Sequence, residues 1–325
     1  MAELNAEVEG SQASTSSLEI ATNAYVPLST MNLVFIRLDS QAAQLGSSRV
    51  RRLLSPALDD KERGYQAEIP LAFSSIEQAR NMLDHIWADC DRGLQGEKFA
   101  DEPGGPTPTL EISLKLVRDF STVRLRQWSQ AFDNFFRLHP HEFDDDDQEF
   151  IHIVKIHRIL IEIFFGMNLV HAIVDEKFWD NYYVEFDTIM THATAVAKRP
   201  KHTRSKGTPK PAFSLDTGII LPLYFVATKC RHPTIRRKAI ALLKSTPRQE
   251  GVLNSMLTGR VAERLVEIEE EGLGHIGCAE DIPHWVRLAG ADVKFDPSGR
   301  RAFLQYIRNS SEGSGKDTVE EWIEW

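Results

Sequence analysis

Cysteine is nearly missing from this chain: Cys90, Cys230 and Cys278 are the only three in 325 residues. Thiols so few and so scattered exclude a disulfide framework and fit a reducing compartment. Long apolar runs are missing too. No stretch reaches the roughly 18 apolar residues that a membrane span needs. The densest, Ile159 to Val170, is interrupted by Glu162, Gly166 and Asn168 and reads as a buried core helix. The first twenty residues carry Glu3, Glu7 and Glu9 and no apolar h-region, so neither a secretory signal nor a transit peptide is expected there. Without secretion the sequon Asn309-Ser310-Ser311 is expected to be silent. A cationic excess is also missing: 38 Lys and Arg face 47 Asp and Glu, a formal charge of −9. Such a balance makes a poor non-specific binder of DNA, because phosphate neutralisation needs clustered cations. There is no HExxH, no GxSxG and no Walker sequence, so no metal, cofactor or catalytic residue is assigned. No repeat at a fixed period points to a solenoid.

What is present is helix periodicity. At 42% hydrophobic residues, the length supports one large domain or two smaller ones. Residues 1–24 are polar and are expected to be a disordered tail. A helix is expected over Thr30–Leu45, with Val34, Leu38 and Ala42 as its stripe and Phe35 beside it. Ser74 and Glu77 have capping-box spacing ahead of a helix to about Leu94, with Ile76, Ala79, Leu83 and Ile86 inward. Residues 96–108 (GEKFADEPGGPTP) read as a linker and a possible sub-boundary. Leu110–Leu138 reads as a helix whose Trp128, Phe132, Phe135 and Phe136 form a core stripe. Asp144–Asp147 opens the next helix, to about Val170, and suits the positive end of its dipole better than a metal site. Glu176–Ala197 follows as a further helix, then a basic loop.

The segment Pro222–Glu271 is the most informative. It holds three successive helix patterns, with Pro233 at the first position of the second. Ile235, Ala239, Leu242 and Leu243 make one stripe; Arg236, Arg237 and Lys238 are read as lying off it. Pro247 and Gly251 punctuate a turn. Val261, Leu265 and Ile268 point inward in the last helix, and Glu263, Glu267 and Glu270 share another face. Arg231, Arg236 and Arg237 are expected to pair with Glu250, Glu267 or Glu270 and to lock the three helices together. Beyond, residues 292–306 alternate around Pro-Ser-Gly and predict a small hairpin. Residues 309–325 read as a partly disordered tail whose Trp322, Ile323 and Trp325 dock back on the body.

Other chemistry is thin. Gly272-Leu-Gly-His-Ile-Gly277 matches GxGxxG but follows a helix rather than a strand, so a glycine turn after a helix C-terminus is the better reading. His139 with His141, and His152 with His157, lack zinc spacing. Cys230 sits among cations, but periodicity places it inward, as a structural residue rather than a nucleophile. Lys198, Arg199, Lys201, Arg204, Lys206 and Lys210 fit a nuclear-import pattern or a solvated basic loop.

Several stretches resemble one family. They are Phe35–Ala42, Ile69–Arg80, Phe213–Ala227, Lys229–Leu243 and Pro247–Val252 with the Glu-rich helix behind it. In order and spacing these are similar to the fungal-specific regulatory domain that follows binuclear zinc-cluster DNA-binding domains in fungal transcription factors. The resemblance spans roughly Val34–Tyr306 and implies an all-α body over 25–308 that modulates activation and contacts partners. Members usually carry six zinc-binding cysteines; here Cys90 is the first of three. No zinc ligand or DNA-contacting residue carries over, and direct DNA binding by this chain alone is not expected.

The expectation is therefore an all-α, non-enzymatic, nuclear transcription regulator with a small C-terminal hairpin. It would act through protein partners, as a homodimer or with a full-length zinc-cluster factor, and the resemblance implies a link to secondary-metabolite gene clusters. The rival readings are an enzyme or small-molecule sensor with an apolar pocket among its helices, and a truncated product of a longer zinc-cluster gene.

Overall fold

The structure, a computed structural model, describes residues 68–96, 108–140, 143–166, 176–198, 212–214, 218–245, 247–251, 253–288, 291–296, 301–309 and 316–324. The tail 1–24, the helix expected over Thr30–Leu45, all but the ends of the 96–108 linker, and the basic loop beyond Lys198 lie outside them. The described residues form an all-α body of seven helices with a small antiparallel sheet at the C-terminal end.

Helix α1 (Ile76–Gly96) buries Ile76, Ala79, Leu83 and Ile86, the stripe its sequence carries. Its cap lies one residue later than the spacing suggests. Ser75, not Ser74, accepts the N–H of Gln78 at 3.0 Å, and the Gln78 amide oxygen reaches back to the Ser74 N–H at 2.8 Å. Burial of Ile76 fixes the helix register, which makes Ser75 the cap; Gln78 reaches back past it to Ser74, so the reciprocal bond of a capping box is displaced by one residue. Helix α2 (Pro108–Leu138) packs on α1 through Leu125, Trp128, Phe132 and Phe135. Trp128 stacks on Phe132 at 4.7 Å, and its indole N–H donates to the Ala79 carbonyl at 2.7 Å.

Helix α3 (Asp145–Gly166) opens on a reciprocal cap: Asp144 Oδ1 accepts the Asp147 N–H at 2.9 Å, and Asp147 Oδ2 accepts the Asp144 N–H at 3.4 Å. Further along, it is a wall between two cores. Ile151, Val154, Ile161 and Phe165 face the α1–α2 core; Ile153, Ile156, Leu160 and Ile163 face the second one. This explains the chain's densest apolar run, because a helix buried on two faces has little room for polar residues.

The second core gathers α4 (Tyr183–Lys198), α5 (Ile220–Lys229), α6 (Pro233–Ser245) and α7 (Ser255–Glu270). The helix expected over Glu176–Ala197 starts differently: Glu176–Tyr182 is a 3-10 segment and the α-helix begins at Tyr183. Three residues per turn place Glu176, Trp179 and Tyr182 in one row. Trp179 and Tyr182 then pack on the core while Glu176 reaches Lys229. Pro233 opens α6, as its position predicts. Where α7 crosses α6, a Cβ on Gly259 would lie 2.9 Å from Lys244 Cγ and 3.1 Å from Leu243 Cβ, so any larger residue would require the Lys244 side chain to shift.

Two sheets complete the fold. Strands β1 (Ala212–Ser214), β2 (Arg248–Glu250) and β3 (Leu253–Asn254) run parallel and then antiparallel, turning at Gly251 with φ 53°. Strands of two and three residues leave no alternation to read in a sequence. Strands β4 (Ala291–Phe295), β5 (Arg301–Asn309) and β6 (Lys316–Glu324) form an antiparallel meander. The expected hairpin is there, but residues 316–324, read as a tail, are its third strand. Val293, Ala302, Leu304 and Tyr306, with Val319 and Ile323 partly buried, pack on Val261, Leu265 and Ile268 of α7. Four acidic residues in β6 mask its alternation. No helix among the described residues is long and apolar enough to cross a membrane.

Candidate functional site

The most concentrated chemistry in the fold is a buried charge network centred on Glu269, near the C-terminal end of α7. Arg231, in the link between α5 and α6, is 0% exposed, and Glu269 2%. One Glu269 oxygen takes Arg231 NH2 at 2.7 Å and the Leu288 backbone N–H at 2.8 Å; the other takes Arg236 NH2 at 2.7 Å. Arg231 also reaches Glu176 at 2.9 Å, and Glu176 takes Lys229 Nζ at 2.9 Å. Other guanidinium donors go to main-chain oxygens, Arg231 to those of Lys229 and Leu288 and Arg236 to that of Ala227, while Arg231 Nε and Arg236 Nη1 make no hydrogen bond. Alongside, buried Arg287 pairs with Asp180 at 2.8 Å and donates to the carbonyls of Ile282 and Ala279. Five segments therefore meet here: the 3-10 turn, the end of α5, the start of α6, the end of α7 and the 279–288 loop.

Burial pushes the Glu269 carboxyl up, but Arg231 and Arg236 outweigh it and hold the carboxyl below the usual glutamate range. Arg231 is lowered by burial and raised further by Glu269 and Glu176, so its net shift is upward. Arg236 shares Glu269 with a like-charged neighbour, and burial leaves it lowered. Both oxygens of Glu269 and both of Glu176 are occupied by cations, whereas Asp180 Oδ1 has no hydrogen-bond partner. The arrangement ties the five segments together. Because folding lowers the Glu269 pKa, its contribution is complete above the unfolded value of ~4.3 and is lost as pH falls through the folded value. The stability gap between wild type and Glu269→Gln, from denaturant titrations, should be flat from about pH 5 to 7 and shrink below about pH 4. A gap unchanged down to pH 3 would refute an ionised Glu269.

A second buried carboxylate holds the start of α5. Glu250 on β2 accepts the N–H groups of Gly218, Ile219 and Ile220, each at 3.0 Å, and pairs with Arg248 at 3.2 Å. It does for α5 what an N-cap side chain does, but from a strand thirty residues away. On the other side, the Gly218 carbonyl lies 2.9 Å from His157 Nε2 on α3. A Cβ on Gly218 would fall inside the Glu250 carboxylate. Gly218→Ala is therefore expected to cost about 1–3 kcal/mol, the range for a buried group displaced from its partners. An unchanged melting temperature would contradict this.

The residues singled out in the sequence fall as follows. Arg237 meets Glu270 at 2.5 Å, and Arg236 lies 3.6 Å from the same residue. Glu250 and Glu267 do not join these arginines: Glu250 serves Arg248 and α5, and Glu267 pairs with Arg264 at 3.3 Å. Arg236 is not off the apolar stripe; it is 0% exposed. Lys198 is exposed at the end of α4, and Arg199, Lys201, Arg204, Lys206 and Lys210 lie outside the described residues. Cys230 is buried, and burial raises its thiol to about 11, against any nucleophilic role. Gly272, at φ 74°, is the glycine turn expected after α7. His152 Nδ1 lies 2.9 Å from His192 Nδ1, and burial, His152 and Lys155 together depress His192 to about 4. Among the described residues no three His, Cys, Asp or Glu side chains converge on a metal position.

Glu269 and Glu176 were missed, and Arg236 misread. The helical wheel held a signal for two of them. At 100° per residue Arg236 falls between Leu243 and Ile240, and Glu269 between Leu265 and Ala262. A charge inside an apolar arc must find a buried partner, and here one is the partner of the other. Glu176 gave no such signal, because its position depends on the 3-10 turn.

Over 121 residues the chain is 35% identical to the aspercryptin biosynthesis cluster-specific transcription regulator atnN of Emericella nidulans. The match covers 36% of this chain and 19% of that relative, so the chain spans about a fifth of the length of the curated protein it matches. No family model matches, and no solved structure does. Over about a third of its length, then, the chain is similar to a fungal transcription regulator.

Proposed function

We propose that this chain is a helical regulatory body of a fungal transcription regulator, working through protein contacts and serving a biosynthetic gene cluster. The similarity to atnN, itself named for one such cluster, is the observation that carries this reading. The charge network supports it from the side of chemistry: its Glu269 and Glu176 carboxylates are saturated by arginine and lysine, which suits a rigid scaffold. The overall charge of −9 disfavours phosphate binding, and three scattered cysteines do not supply a six-cysteine zinc cluster, which supports an indirect mechanism. Its partner would be a second copy or a full-length zinc-cluster factor, met in the nucleus, with Lys198–Lys210 as the import signal. A gel-shift titration on promoter duplexes tests the indirect mechanism. The isolated chain should give no sequence-specific shift, yet retard further the complex of a zinc-cluster partner already bound. Tight, sequence-specific binding by the chain alone would overturn it.

A further inference from the structure

The C-terminal sheet ends on an open edge. Its strand order, β4-β5-β6, leaves β6 paired on one side only among the described residues. At nine residues β6 is longer than the usual strand of about five or six, so its edge offers a long row of backbone donors and acceptors. That edge is held in place from beneath. Arg264 of α7 grips Glu321 through Nε at 2.8 Å and Nη2 at 3.0 Å, and Val319 and Ile323 pack on the core that α7 shares with the sheet.

The outer face of the same strand has a defined chemistry. Thr318, Glu320, Trp322 and Glu324 alternate outward and are exposed. Among the described residues Glu320 meets only the Gln305 amide, at 2.7 Å. Glu324 lies opposite Arg301 in the register, but that guanidinium pairs with Asp296 and sits over the Trp322 ring, 4.6 Å from its centroid. Trp322 packs on Phe303 at 5.3 Å and still stands 53% exposed. An aromatic side chain is thus flanked along the edge by two carboxylates that hold no cation among the described residues.

We infer that the open edge of β6 takes an extended, basic segment of a partner protein as a fourth strand, with one Lys or Arg against Glu320, another against Glu324 and an apolar side chain beside Trp322. A strand added here gains main-chain hydrogen bonds from the edge and its specificity from alternate side chains. Those side chains stand about 4.5–5.5 Å from Glu320, Trp322 and Glu324, so the fitting pattern is basic-x-apolar-x-basic. Charge also decides against a second copy. Antiparallel self-pairing centred on Trp322 would set Glu320 of each copy opposite Glu324 of the other, and like charges directly opposite are destabilising. The docking needs only the sheet, whatever the chain regulates.

Fluorescence anisotropy on the full chain tests this with a dye-labelled peptide, Val-Lys-Thr-Leu-Thr-Lys-Val. It should bind about tenfold tighter than Val-Glu-Thr-Leu-Thr-Glu-Val, because two favourable cross-strand pairs replace two unfavourable ones. It should lose binding by a similar factor when N-methylated at every residue, a change that keeps its charges and removes its backbone donors. Amides of 316–324 should exchange more slowly with the lysine peptide bound. In the double variant Glu320→Lys with Glu324→Lys the preference should reverse, the glutamate peptide becoming the tighter. Equal binding of the two peptides by the wild type, binding that survives N-methylation, or a preference unchanged in the double variant would overturn the proposal; the N-methylation and exchange results stand on the wild type alone. Affinity for the lysine peptide that falls as protein concentration rises would overturn it in favour of a second copy on the edge.

Discussion

Glu269→Ala is expected to remove about 3–5 kcal/mol of stability, the usual cost of leaving a buried charge without its partner. The reason is arithmetic of position. Arg231 and Arg236 are both 0% exposed and both point at this carboxylate. Without it Arg231 must share Glu176 with Lys229, Arg236 keeps as its charged neighbour only Glu270 at 3.6 Å, and the Leu288 N–H loses its acceptor. For a protein of this size the melting temperature should fall by on the order of 10 °C. The neighbouring pair sets the contrast. Arg237 is half exposed, so Arg237→Ala should cost no more than about 1 kcal/mol despite its 2.5 Å contact with Glu270. Equal losses from the two substitutions would show that burial is not what gives Glu269 its weight. Replacing Arg231, Arg236 and Glu269 together with apolar residues of similar volume should be far milder than Glu269→Ala alone, since no charge is then stranded.

Trp128→Ala is the second large effect, about 3–5 kcal/mol. Trp128 is fully buried at the centre of the α1–α2–α3 core, stacked on Phe132 and 5.8 Å from Phe73. Truncation opens a cavity and also leaves the Ala79 carbonyl without its indole donor. Because α3 walls both cores, the loss should not stay local: Ile153, Ile156 and Ile163 on its other face hold the second core. A single cooperative thermal transition shifted to lower temperature is expected. Two separated transitions, with only the first displaced, would contradict the shared wall.

Helix identity was legible because burial follows a 3.6-residue period wherever one face is apolar. Ile76, Ala79, Leu83 and Ile86, or Val261, Leu265 and Ile268, are named from spacing and found buried. Cap positions were less legible, since adjacent serines at 74 and 75 offer two registers and only the burial of Ile76 selects one. The third strand of the C-terminal sheet was hidden by its acidic outer face and edge. The charge network was half visible. Its arginines cluster in sequence, but their partners lie on α7, some thirty residues further, and on the turn before α4. Such pairings depend on how helices cross, which periodicity does not encode. Spacing puts Glu263, Glu267 and Glu270 on one acidic face, whereas Glu269, the glutamate at the centre of the network, lies inside the apolar arc.

The regulatory reading is tested most directly by tethering. The full chain, fused to a heterologous DNA-binding domain, is placed at a reporter promoter in a filamentous fungus, with protein levels matched by immunoblot. Reporter output should move several-fold in one direction with the wild-type chain and return to baseline with Glu269→Ala, whose scaffold is weakened. A wild-type fusion that is nuclear, folded and abundant yet leaves the reporter unchanged would contradict a role in transcription through protein contacts.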